Sequence, residues 1–235
     1  MPVKEREVIY DESRWRVLRE KRNIAKRLMT ALRSYGFRSI VYGSIARGDV
    51  STSSDVDVFI LYQVPSYLVE LAVTEAGFHI YGRLIVQATP HYAVKAYMTL
   101  DPEELVTVSF PLVKMTKREL EFYSFGGKLE LNDLTSGRRV PGVDKRLMLI
   151  IPTKRGHLES SIIGREEEVA SLLGISPEII KERVTMLTRR EEIGRTGVFI
   201  KYRLSNDESF ESALKRLSNK NPLLRKLLRE RSGEY

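Results

Sequence analysis

The stretch VYGSIARGDVSTSSDVDVFIL, Val41 to Leu61, decides how the chain is read. An apolar run stops at Gly43 and Ser44, a polar loop follows, and a second apolar run opens with Asp55-Val56-Asp57. The two runs predict two strands, the second apolar enough to be buried on both faces. Alternate residues of a strand share a face, so Asp55 and Asp57 point the same way while Val56 points inward. Two like charges at a strand mouth call for a cation. Magnesium suits them, because it often takes only one or two protein carboxylates and completes its shell with water and substrate phosphate. Gly43 leaves the main chain open to an anion, a turn there can present N–H groups and the Ser44 hydroxyl, and Arg47 adds a cation in the same loop. The loop offers donors to a polyphosphate, and the strand offers acceptors to the metal that bridges it. Phosphoryl and nucleotidyl transfer need this division of labour.

Upstream, Trp15, Val17, Leu18, Ile24, Leu28, Met29 and Leu32 recur at helical spacing between Ser13 and Tyr35, with Ser13 a candidate N-cap and Gly36 a stop. Downstream, Ser66 to Ala76 reads as a short helix. FHIYGRLIVQATP, HYAVKAYMTL and LVTVSFPLV read as strands, and TKRELEFY as a helix. Roughly Arg118 to His157 forms a connecting layer of glycine turns around the strand LMLIIP. After Leu158, GREEEVASLLG and ISPEIIKERVTMLTRREEIG predict two helices joined by a tight turn, followed by a strand at GVFIKYRLS and two amphipathic helices. The pattern predicts an α+β protein of two domains, residues 1–155 and 156–235, the first a mixed sheet with flanking helices.

G-S-x-A-R-G-D followed by S-D-V-D resembles the signature of the DNA polymerase beta-like nucleotidyltransferase superfamily, in particular its minimal, prokaryotic-type members, over roughly Ser13 to Leu100. The resemblance implies that Gly43 and Ser44, with Arg47 in support, hold the triphosphate of an incoming nucleotide. It implies that Asp55 and Asp57 hold two magnesium ions, and that a hydroxyl acceptor attacks the alpha-phosphorus and releases pyrophosphate. Active members carry a third carboxylate on a later strand. Here the interior charge of HYAVKAYMTLD is Lys95, so Asp101 is the first candidate, with Glu103 and Glu104 beside it and Asp144 farther along. Asp101 in L-D-P-E-E reads equally as a helix N-cap.

The carboxy-terminal helix, turn, basic helix and strand resemble a winged helix-turn-helix, in which the second helix enters the major groove and the wing meets the backbone. Lys181, Arg183, Thr185, Arg189 and Arg190 on the second helix, with Arg195 and Lys201 in the wing, are the candidate nucleic-acid contacts. Arg183 and Thr185 are the ones placed to read bases. Winged helices also serve as dimerisation modules, and the tail leucines suit packing on the domain itself or on a partner such as a second copy.

A net charge of +8 over 235 residues fits a polyanionic partner, nucleic acid or a nucleoside triphosphate, and fits equally a basic surface rich in ion pairs. A hydrophobic fraction of 42% excludes a disordered chain. The absence of cysteine excludes a disulfide framework, a thiolate zinc site and a cysteine nucleophile, and fits a cytoplasmic protein. No apolar run approaches the ~20 residues that span a bilayer. Three functions stay open: a magnesium-dependent nucleotidyltransferase, a catalytically inactive nucleotide-sensing DNA-binding regulator, and a partner-docking protein.

Overall fold

The computed structural model describes residues 5–194 and 197–231. The chain opens with β1 (Arg6–Ile9), α1 (Glu12–Ser34), β2 (Ser39–Tyr42), the single turn α2 (Ser44–Arg47), β3 (Val56–Ile60) and α3 (Ser66–Glu75). It continues through β4 (Gly82–Gln87), β5 (Lys95–Thr99), β6 (Val106–Pro111), α4 (Lys117–Gly126), β7 (Lys128–Glu130), α5 (Leu131–Thr135) and β8 (Gly142–Val143). The remainder is β9 (Met148–Thr153), β10 (Gly156–Ser161), α6 (Glu166–Leu173), α7 (Pro177–Ile193), β11 (Ile200–Arg203), α8 (Phe210–Lys220) and α9 (Pro222–Arg231). The protein is α+β, with a mixed sheet and flanking helices, consistent with the nucleotidyltransferase-type fold expected. No helix among the described residues is long and apolar enough to cross a membrane.

The described residues form two compact units, and the division does not follow the chain as a cut at residue 155 would have it. One, the loop unit, holds the residues before Arg27, Ile40–Val56, and those from Leu120 to Gly194. The other, the sheet unit, holds Arg27–Ser39, Asp57–Glu119, and those from Gly197 on.

In the loop unit, strands run in the order β1-β10-β9-β8, each pair antiparallel, and β2 pairs with β7. The supposed connecting layer is therefore a sheet of its own. Its core joins Phe125, Leu149 and Ile162 to Val169, Ile180 and Leu187, so α6 and α7 are held by apolar burial. Gly174 closes α6 in the left-handed region and Pro177 opens α7, which gives the tight turn its sequence signature.

In the sheet unit the strand order is β11-β4-β5-β6-β3. β11 pairs antiparallel with β4, Ile200 opposite Gln87 and Arg203 opposite Leu84. Ile200–Arg203 is thus an edge strand of this sheet, where the sequence suggested the arm of a wing. Its half-buried Ile200 and Tyr202 alternate with exposed Lys201 and Arg203, as an edge strand requires. Phe110 and Phe210 stack edge to face, 5.7 Å between centroids, and tie the sheet to α8. Glu211 of α8 accepts from both the N–H and the hydroxyl of Ser66 and so caps the start of α3.

Candidate functional site

In the loop unit the chain leaves β2 at Gly43, whose φ of 71° and ψ of −143° lie where only glycine is comfortable. Its N–H donates to Gly127 O at 2.9 Å, and its carbonyl accepts from the N–H groups of Ala46 and Arg47, both at 3.0 Å. Gly48 ends the turn at φ 101°, donating to Ser44 O at 2.7 Å. Ser44 is left half-exposed at the start of this turn, above a buried Ile45 and Ala46.

Two buried arginines hold the turn. Arg22, from α1, donates its Nε to Ile45 O at 3.0 Å, its Nη2 to Ala46 O at 3.1 Å and its Nη1 to Arg138 O at 2.9 Å. Burial pushes its guanidinium down to about 10, with Arg139 adding to the effect. Arg47 forks Asp49 through Nε and Nη2, both at 2.9 Å, and donates Nη1 to Gly126 O at 2.6 Å. Arg47 is 5% exposed, so the loop cation expected on the triphosphate sits beneath the turn as part of its frame. Lys21 Nζ donates to Ser54 O at 2.6 Å and fixes the last residue before Asp55, which is exposed.

In the sheet unit, Asp57 is half-buried on β3 and its Oδ1 accepts from the Thr107 hydroxyl of β6 at 2.6 Å. Register pairs Thr107 with Thr99 and Ser109 with Tyr97, so β5 and β6 present a run of hydroxyl groups on one face. Burial, with the Asp57 charge behind it, pushes the Tyr97 phenol up to about 12. Lys95 Nζ lies over the Phe59 ring, 5.3 Å from its centroid, and burial pushes its ammonium down to about 8 against the pull of Glu119.

Of the candidates for a third carboxylate, Asp101 and Asp144 are engaged elsewhere. Asp101 caps the turn between β5 and β6, its two oxygens accepting from Leu105 N–H at 3.0 Å and Val106 N–H at 2.6 Å. Asp144 accepts from the N–H groups of Arg146 and Met148 and pairs with the Arg146 guanidinium at 2.7 Å. Glu103 and Glu104 are exposed in the β5–β6 turn, Glu104 at φ 58°. Among the described residues no three His, Cys, Asp or Glu side chains are grouped to hold a metal ion. The donor set, two carboxylates two residues apart, fits one hard cation completed by water and phosphate.

On α7, Lys181, Thr185, Arg189 and Arg190 are exposed. Lys181 lies 3.7 Å from Glu167, and the Thr185 hydroxyl donates back to Lys181 O. Arg183, expected to read bases, lies over the Phe122 ring at 4.9 Å and is half-buried. Lys201 is exposed on β11, in the other unit, and Arg195 lies outside the described residues. Arg22, Lys21 and Thr107 were not singled out by sequence. The first two are ordinary basic positions of a charged helix, and nothing local marks a threonine that meets an aspartate 50 residues away.

No curated protein matches the chain. Residues 21–120 match the family model of the nucleotidyltransferase domain, a stretch that contains Gly43, Ser44, Asp55 and Asp57, and this match supports a place in the nucleotidyltransferase superfamily.

Proposed function

We propose that the Gly43–Asp57 stretch binds a nucleoside triphosphate with magnesium and transfers its nucleoside monophosphate to a hydroxyl acceptor. The observation that carries this reading is the glycine-only turn at Gly43, opening on the half-exposed Ser44 and followed in the same matched domain by Asp55 and Asp57. Gly43 and Ser44 take the polyphosphate, the two aspartates take the cation, and Arg47 acts from beneath by keeping the turn in shape. Magnesium, when bound, neutralises the phosphate oxygens and draws charge from the alpha-phosphorus. The exposed Lys181, Arg189 and Arg190 of α7 meet nucleic-acid phosphates, which fits the net charge of +8 and a cytoplasmic protein. The amphipathic α9 suits a contact with a second copy.

A second reading is a nucleotide-sensing regulator without turnover. It is favoured by Asp101 and Asp144, both of which are bound to backbone N–H groups. The deciding experiment incubates each alpha-labelled nucleoside triphosphate with magnesium, with and without nucleic acid, and with the Asp55→Asn/Asp57→Asn variant as control. Label on an acceptor, absent in the variant, is expected of a transferase. Binding without transfer establishes the regulator.

A further inference from the structure

Three guanidinium groups of the loop unit meet the Gly43–Gly48 turn, and one carboxylate answers them. Arg47 is forked by Asp49, so its charge is balanced within the fold. Arg22, 7% exposed, donates to carbonyl oxygens, those of Ile45 and Ala46 in the turn and of Gly137 and Arg138 outside it. Arg139 packs against the end of the turn, where a Cβ on Gly48 would come 2.5 Å from its Cδ. It too donates to carbonyl oxygens, those of Thr153 and Gly156, and it lies over the Trp15 ring, 4.9 Å from the centroid. Burial pushes both Arg22 and Arg139 below the usual guanidinium range, and no carboxylate among the described residues pulls either back up. A buried charge met only by dipoles is costly to keep.

We infer that the missing counter-charge is the ligand's: Arg22 and Arg139 attract the polyphosphate from behind the turn, the part the sequence suggested for Arg47. The inference rests on the nucleotide-binding reading above and adds which cations of this chain serve the phosphates. Neither guanidinium has to touch a phosphate oxygen. A charge held in a poorly hydrated interior acts over several ångströms with little screening. Arg22 is bound to the carbonyl of Ile45, the residue that follows Ser44, and Arg139 to the far end of the same turn. Both are already fixed on carbonyl oxygens, so they need no rearrangement when the anion arrives. Arg47 differs because Asp49 cancels its charge at close range and leaves it the shape alone.

The test separates charge from shape by two substitutions at each arginine, read by calorimetric titration of the common nucleoside triphosphates with magnesium and by urea denaturation. Arg22→Gln keeps a donor for a carbonyl and loses the charge, and should weaken the triphosphate about ten-fold. Arg22→Lys keeps the charge and loses the planar fork, and should bind nearly as well as the unaltered protein even where it is less stable to urea. Arg139→Gln and Arg139→Lys should divide in the same way, and this half-buried position carries the test if Arg22→Gln does not fold. Lysine variants as weak as the glutamine variants, or losses of affinity that follow the losses of stability, overturn the inference and leave the nucleotide reading standing. No binding of any triphosphate to the unaltered protein overturns both.

Discussion

The Gly43–Gly48 turn and the Asp57 face are built by opposite means. Around the turn, backbone carbonyls are met by Arg22 and Arg47, and Arg47 is itself balanced by Asp49. At Asp57 the Thr107 hydroxyl donates to the carboxylate, Lys95 is pushed down to about 8 by burial, and the buried Ser109 hydroxyl has no hydrogen-bond partner among the described residues. Buried guanidinium groups bound to carbonyl oxygens, one of them paired with Asp49, fix a shape. A buried hydroxyl without a partner, such as that of Ser109, is the kind of feature that marks a place made for something other than folding. The difference teaches that Arg47, the charged residue of the motif's loop, serves the shape, while Asp57, half-buried on β3, is the residue the proposed function assigns to the cation.

That contrast is broken most severely at Arg47. Arg47→Ala leaves Asp49 buried and unpaired, and removing one partner of a buried pair costs about 3–5 kcal/mol. Urea denaturation should show a loss of that size. A loss under about 1 kcal/mol would mean that the turn holds itself.

The Asp57 face should show its own signature in pH. Lys95 is harder to protonate folded than unfolded, since burial lowers it from 10.5 to about 8. Between those two values the unfolded chain binds more protons, so this group's contribution to stability rises as pH climbs from about 8 to 10.5. The rise should be on the order of 2 kcal/mol, read by denaturation at pH 7, 8, 9 and 10, and should vanish in Lys95→Met. An unchanged slope in that variant would place the titration elsewhere.

Gly43→Ala sharpens the comparison from the turn side. Nothing lies within 4 Å of an added Cβ, so the cost is conformational alone, about 1–3 kcal/mol for a backbone held in that region. Nucleotide affinity should fall with it, because the substitution tilts the start of α2. The smallest effect is expected on α7, where Lys181→Ala with Arg189→Ala should change stability by less than about 0.5 kcal/mol. The same pair should reduce the salt dependence of nucleic-acid binding by about two phosphate contacts.

Much of the fold was legible because periodicity and turn residues are local. The long helix α1, the strand that follows Asp55, the glycine at Gly43 and the α6–α7 turn each carry their signal within a few residues. β1 was not legible, since four charged and apolar residues lead into α1 and become a strand only by pairing with β10. β11 was read as a strand but not as a neighbour of β4, because a four-residue alternation says nothing about a partner more than 100 residues away. Charge alone did not place the cations. Arg47 and Arg183 looked like ligand contacts, yet one is buried on Asp49 and the other lies over Phe122, and a sequence does not reveal which cations are solvated.

The most direct test of the central claim is calorimetric titration of each common nucleoside triphosphate, with magnesium, into the protein and into the Asp55→Asn/Asp57→Asn variant. At least one triphosphate should bind, depend on the cation, and lose ten-fold or more affinity in the variant. Equal affinity in the two proteins, or no binding of any triphosphate, would contradict the account.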